Sequence, residues 1–287
     1  VFSKYFLSPL QKPKQSCKID LLNTFLTKGE KEMSKETLRT YQTYKNWKCK
    51  SKQTEYTEET PLLASDGTLL AKGWARKNVF EYNRDYVKKG IISRKEWDFY
   101  TIFDDEMQIL ISFANINIGG YVAAKLLNLK TGEVICDCVQ YFAGANKHVS
   151  HVKADSPGRF KDKIGKTEFD FHTKENERTL SFNGKYKGKE VDVFASMEIM
   201  DGLESITTIF PFKEDKTKYF MTTKQLCMPC EGKFRFGEYE YEFTKDKAFC
   251  SVDWGRVNTI HEMVWYWGSG SQYIYDENGE KHLFGFE

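Results

Sequence analysis

The chain lacks any apolar run of the roughly 18 residues that a membrane helix requires; its apolar stretches, such as residues 109–111 and 210–212, are strand-sized. A helical membrane span is thereby excluded. Net charge is also missing. The 43 Lys and Arg against 41 Asp and Glu leave +2, so the whole molecule has no field of one sign to draw nucleic acid or an anionic membrane. Lys4, Lys12, Lys14 and Lys18 interrupt the N-terminus, leaving no continuous apolar block before a small-residue cleavage site and hence no secretory signal. The seven cysteines are odd in number and irregularly spaced, which suits reduced thiols in the cytoplasm better than a disulfide framework. There is no phosphate loop, nucleophile elbow or dinucleotide fingerprint, and no cofactor is expected.

The near-neutral total hides an asymmetry. Residues 1–52 hold 12 Lys and Arg against 4 Asp and Glu, a net of +8, which leaves −6 for residues 53–287. Short apolar patches in this segment (Ile19, Leu21, Leu22, Phe25, Leu26) alternate with lysines and show neither a helical nor a strand period. It reads as a basic, poorly ordered leader. Met33, followed by Ser34, Lys35 and Glu36, has the form of a start, which would set the first 32 residues apart.

What is abundant is aromatic: 22 Phe, 16 Tyr and 6 Trp, large flat side chains that suit pleated surfaces. From Pro61 onward, short alternating runs are separated by Asp66-Gly67, Thr131-Gly132, Asn183-Gly184, Lys187-Gly188 and Asn278-Gly279. At each of these pairs the backbone can take positive φ and reverse between strands. Phe169 and Phe171 face one way while Glu168, Asp170 and His172 face the other, as half-buried strands require. The pattern predicts strands over 99–103, 108–116, 121–129, 133–142, 180–182, 191–199, 205–211, 219–226 and 265–275. The one good helix signal is short, over 83–89 behind Asn83 as its cap. So many strands with so few crossover helices exclude a parallel α/β sheet and leave sandwiches and antiparallel barrels. The fold class is mostly β, an antiparallel barrel, because closure removes exposed edges and encloses an interior lined by every second residue.

Several segments, taken together, resemble the bacterial domain-of-unknown-function family 2804. They are Pro61-Leu62-Leu63 with Asp66-Gly67, Lys72-Gly73-Trp74-Ala75-Arg76, Tyr82-Asn83-Arg84, and Lys95-Glu96-Trp97-Asp98-Phe99-Tyr100. Later come Met228-Pro229-Cys230-Glu231-Gly232, Asp253-Trp254-Gly255-Arg256 and Trp265-Tyr266-Trp267-Gly268-Ser269. The resemblance implies lipocalin-like barrels, two in number, and a distant likeness to carotenoid hydratases and tocopherol cyclases; it implies no known activity. On this basis 53–226 is expected to form a first lipocalin-like domain. Residues 227–287 would begin a second, incomplete one, since the family pattern runs on beyond Glu287. After Arg256 the sequence departs from the family, with Val257, Asn258, Thr259 and Ile260 in place of Gly, an aromatic residue and Pro-Tyr.

Six residues stand out as ligand-binding candidates: Asp253, Trp254, Arg256, Trp265, Trp267 and Trp97. Asp253 and Arg256 would point to opposite faces of a straight strand, but a turn at Gly255 would bring carboxylate and guanidinium together. Such a pair either closes a junction structurally or orients a ligand; with Asp253 protonated it becomes the candidate catalytic acid. Trp265 and Trp267, roughly 7 Å apart on one face of a strand, form either a core anchor or a wall for a flat or isoprenoid ligand. Glu96 and Asp98 share a face that reads mainly as solvated. The Cys136/Cys138 and Cys227/Cys230 pairs are too far apart in the chain for a convincing zinc site, and no metal is expected. The leading functional reading is binding of a small, largely apolar ligand in an aromatic-lined barrel. The alternatives are a hydratase- or cyclase-type enzyme acting by proton transfer, or a structural or interaction protein whose barrels are filled.

Overall fold

The structure is a computed structural model that describes residues 54–88, 93–144, 146–150, 153–213, 215–260 and 267–287. The leader and Trp265 lie outside the described residues. Among the described residues seventeen strands follow in chain order. The first three are short: β1 (Thr60–Pro61), β2 (Gly73–Ala75) and β3 (Phe80–Glu81). A meander comes next, β4 (Arg94–Phe103), β5 (Met107–Asn115), β6 (Gly119–Asn128) and β7 (Val134–Ala143). A second meander holds β8 (Gly158–Ile164), β9 (Thr167–Thr173), β10 (Glu177–Tyr186) and β11 (Lys189–Glu198). The chain then forms β12 (Ile206–Pro211), β13 (Tyr219–Phe236), β14 (Tyr239–Phe243), β15 (Phe249–Asn258), β16 (Gly270–Tyr275) and β17 (Lys281–Phe286).

The main sheet runs β7-β6-β5-β4-β15-β13-β11-β10-β9-β8, all antiparallel, and curls so that its two ends approach each other in a nearly closed barrel. Cys138 on β7 donates to the Lys185 carbonyl on β10 across that seam, at 3.4 Å. Alternation decides which side chains enter. On β9, Phe169 and Phe171 are buried and meet Phe160, Phe113 and Tyr100 ring to ring, at centroid distances of 5.1 Å for Phe160–Phe169 and 4.7 Å for Phe113–Phe160. Edge-to-face contacts of this kind add to the area these rings bury. The interior therefore carries a cluster of buried aromatic side chains.

Most of the expected turns are present. Gly67, Gly132 and Gly279 have φ of 86°, 74° and 78°, and the β10–β11 hairpin turns at Lys187 (φ 49°) and Gly188 (φ 79°). Asn183-Gly184 is the exception, for it lies inside β10. Gly184 serves packing instead, since a Cβ there would come within 3.0 Å of Cys138 Sγ and 2.9 Å of the Phe182 ring. The expected helix shrinks to one 3-10 turn, Arg84–Tyr86, with the Asn83 side chain accepting from the Asp85 amide at 3.0 Å.

β13 organises the rest. Its first half pairs with β12 on one side and β15 on the other, while its second half pairs with β11 and β14. The switch occurs at a bulge between Gln225 and Met228, where Cys227 takes φ 62°. A bulge bends the strand and re-aims its neighbours; β12, paired to the first half of β13, and β2, paired to β12, lie off the main path of the sheet. The boundary expected at 226/227 thus falls inside one continuous strand. The described strands close one barrel, and a second is not formed among them; β16 and β17 make a separate hairpin. No helix of the described residues is long and apolar enough to cross a membrane.

Candidate functional site

The site is built by three neighbouring strands in register. Asp98 lies opposite Trp254, Glu96 opposite Arg256, and Arg256 opposite Met221, so β4, β15 and β13 present one set of side chains inward and the next set outward. Asp253 and Arg256 fall on different faces because β15 runs straight through Gly255. The expected turn does not occur. Gly255 is needed for another reason: a Cβ there would lie 2.1 Å from the Trp97 indole.

On the inner face Arg256 donates to Asp98 Oδ1 at 2.9 Å, to Ser150 Oγ at 3.1 Å, and to the carbonyls of Trp97 and Gly255 at 2.9 and 2.8 Å. Ser150 in turn donates to Asp98 Oδ2. The Arg256 guanidinium also stacks 4.1 Å from the centroid of Trp254, which is wholly buried. Beside this group, Arg84 Nε reaches both oxygens of Glu96 at 3.0 and 2.9 Å, and the Tyr82 hydroxyl donates to Glu96 Oε1 at 2.6 Å. Burial, reinforced by the Glu96 charge, pushes the Tyr82 phenol well above its ordinary range and fixes it as a donor. Tyr219 is buried over the same carboxylate; its hydroxyl has no hydrogen-bond partner among the described residues, and burial followed by the Glu96 charge raises it too.

These groups converge on a cleft of about 250 Å³ at the end of the barrel, lined by Tyr82, Arg84, Glu96, Val149, Ser150 and Arg256. Glu96 and Asp98, read from the sequence as mainly solvated, are 4% and 0% exposed. They are in phase with Tyr100 and Ile102, both core residues of the same strand, and that phase was the available signal. Tyr82 and Arg84 carried only a resemblance, and nothing local marks Ser150 or Tyr219.

The outer face gathers Asp253, Trp97 and Trp267. Asp253 Oδ1 accepts from Trp97 Nε1 at 2.9 Å, and its Oδ2 pairs with Lys224 Nζ at 2.5 Å. Lys224 also pairs with Glu287 at 2.9 Å, while Trp267 Nε1 donates to Glu287 at 2.5 Å. Burial raises the Glu287 carboxyl above its ordinary value, against the pull of Lys224. Phe99 meets Trp267 edge-on at 6.0 Å. This cluster holds the β16–β17 hairpin against the barrel wall, helped by Ser271 on the Cys227 amide and Tyr273 on Phe249. Among the described residues the two cysteine pairs lie on separate strands, Cys136 and Cys138 on β7 and Cys227 and Cys230 on β13. Among the described residues, the side chains close enough to share an ion are Asp276, Glu280 and His282, all exposed in the β16–β17 turn.

Fold and cleft define a class: a single-chain antiparallel β-barrel with an aromatic interior and a polar cleft at one end, built from two arginine–carboxylate pairs. The chain belongs to the family described as Domain of unknown function (DUF2804), whose pattern it matches over residues 53–287. No curated protein and no solved structure matches it.

Proposed function

We propose that the protein binds a small organic molecule in the cleft at the barrel end, with its polar groups on Tyr82, Arg84, Ser150 and Arg256 and its apolar body toward the aromatic interior. The observation that carries this reading is that Arg256, buried and paired with Asp98, and Arg84, half-buried and paired with Glu96, line one space of about 250 Å³. Fixed polar groups around a concave space with apolar walls are what ligand sites use to set orientation. A largely apolar ligand in a lipocalin-like barrel, the reading from the sequence, is retained in modified form: the ligand needs polar groups that match the cleft. The hydratase or cyclase alternative asks for an acid poised to release a proton into an apolar space. Here both inward carboxylates are ion-paired and hydrogen-bonded, an arrangement suited to holding a ligand. Val149, exposed at the rim, supplies the test. In ligand-observed NMR against a fragment library, Val149→Trp should displace the fragments that bind the wild-type protein while leaving its Tm unchanged. Fragments that bind both proteins alike would place the site elsewhere.

A further inference from the structure

Deeper in the barrel lies a guanidinium that the cleft does not use. Arg178 on β10 is 0% exposed. Its Nε donates to Thr173 Oγ1 at 3.0 Å, Nη2 to the Ala154 carbonyl and to Gln225 Oε1 at 3.3 Å, and Nη1 to Met228 Sδ at 3.5 Å. The Tyr100 ring stands 5.7 Å from the guanidinium carbon. Every one of these partners is neutral, and among the described residues no carboxylate pairs with Arg178. The contrast with Arg84 and Arg256 is direct, since each of those meets a carboxylate at 2.9 Å. A guanidinium stays charged in proteins, and a buried charge without a counter-charge is costly. Such a residue marks a place where an anion is stabilised.

Tyr100 shares its strand face with Glu96 and Asp98, two pleats deeper than Glu96, about 13 Å along the strand. Arg178, beside the Tyr100 ring, therefore lies farther into the barrel than Glu96. The Ala154 carbonyl, a neutral dipole from the β7–β8 connection, occupies the position on Nη2 that a carboxylate oxygen would take with greater energy.

We propose that Arg178 is the receptor for the anionic group of a small organic acid, which replaces the Ala154 carbonyl on the guanidinium while its apolar body packs among Tyr100, Phe171 and their neighbours. Thr173 and Gln225 orient the guanidinium for it. This rests on the cleft as the ligand's route and names the class that uses it: a monoanionic carboxylate whose aliphatic or aromatic body carries, at its far end, the polar groups that meet the cleft.

The test uses the full chain with octanoate as probe and octanol and methyl octanoate as charge-free controls, read by thermal shift and isothermal titration. Octanoate at about 100 times its Kd should raise Tm by roughly 5–10 °C, and the neutral controls should bind at least tenfold more weakly, as the loss of a charge-assisted hydrogen bond requires. Arg178→Met should abolish the octanoate preference, and Arg178→Lys, which keeps the charge, should retain it. Equal binding of octanoate and octanol by the wild-type protein would overturn the proposal without recourse to any variant, as would undiminished octanoate binding by Arg178→Met. Val149→Trp separates the two readings: octanoate binding that survives it but is lost in Arg178→Met upholds the anion receptor and rejects the cleft as its route.

Discussion

The two faces of the β4–β15–β13 sheet carry the same kind of interaction under opposite conditions of burial. Inside, Arg256 and Asp98 are 3% and 0% exposed, and Ser150 bonds to both. Outside, Lys224 and Asp253 are 16% and 19% exposed, and Lys224 has a second carboxylate in Glu287. Burial multiplies the cost of removing one partner, because the remaining charge loses both its pair and its access to water; redundancy and solvent divide it. The inner pairs should therefore behave as fixed parts of the barrel end, while the outer cluster acts as an adjustable fastening for the hairpin.

That contrast is open to direct measurement. Arg256→Met, which strands Asp98, should lower stability by about 3–5 kcal/mol, and the double variant with Asp98→Leu should recover most of it. Chemical denaturation of the two variants decides the matter, and a double variant no better than the single one would break the comparison. Gly255→Ala comes next, since the added methyl group drives into Trp97; a cost of about 1–3 kcal/mol is expected for overpacking, relieved by Trp97→Leu. Asp253→Asn should cost no more than about 1 kcal/mol, because Lys224 keeps Glu287 and the amide oxygen still accepts from Trp97. A loss as large as that of Arg256→Met would show the outer cluster to be as rigid as the inner one.

The last effect appears only in alkali. Burial pushes the Cys250 thiol on the inner face from 9.0 up to about 12. A group raised in the folded state contributes stability that is complete below its unfolded value and is lost as pH climbs through its folded one. Cys250→Ala should therefore flatten the fall in stability between pH 9 and 12, whereas Cys227→Ala, at the half-buried bulge, should change it less. Denaturation midpoints across that range give the answer.

Much of the barrel was legible because its signals are local. Alternation in the 167–173 run and the Lys187-Gly188 turn need no knowledge of partners, and both are where the pattern predicts them. Asn183-Gly184 misled for the same reason: the dipeptide signals a turn, but its meaning was set by Cys138, a neighbour across the barrel seam. The site was legible only in part. Arg256 and Asp98 are 158 residues apart, and no spacing rule joins them. Gly255 suggested a turn that would pair Asp253 with Arg256, whereas its role is to admit an indole from β4. Arg178 gave no signal at all, being an ordinary charged residue in an alternating strand until its partners are known to be neutral.

The place of β4 in the sheet has a consequence for how the molecule comes to exist. It lies between β5, its immediate successor, and β15, whose Asp253 bonds to Trp97 across 156 residues of chain. A ribosome delivers the first partner at once and the second only after both meanders have emerged. For most of synthesis β4 has one hydrogen-bonding edge unsatisfied, and open edges recruit other chains. Closure of so distant a pair must also wait on the slow ordering that high contact order imposes. The Arg256–Asp98 pair at the barrel end, 158 residues apart, is then among the last contacts made, and the cleft is assembled only when the whole chain has folded.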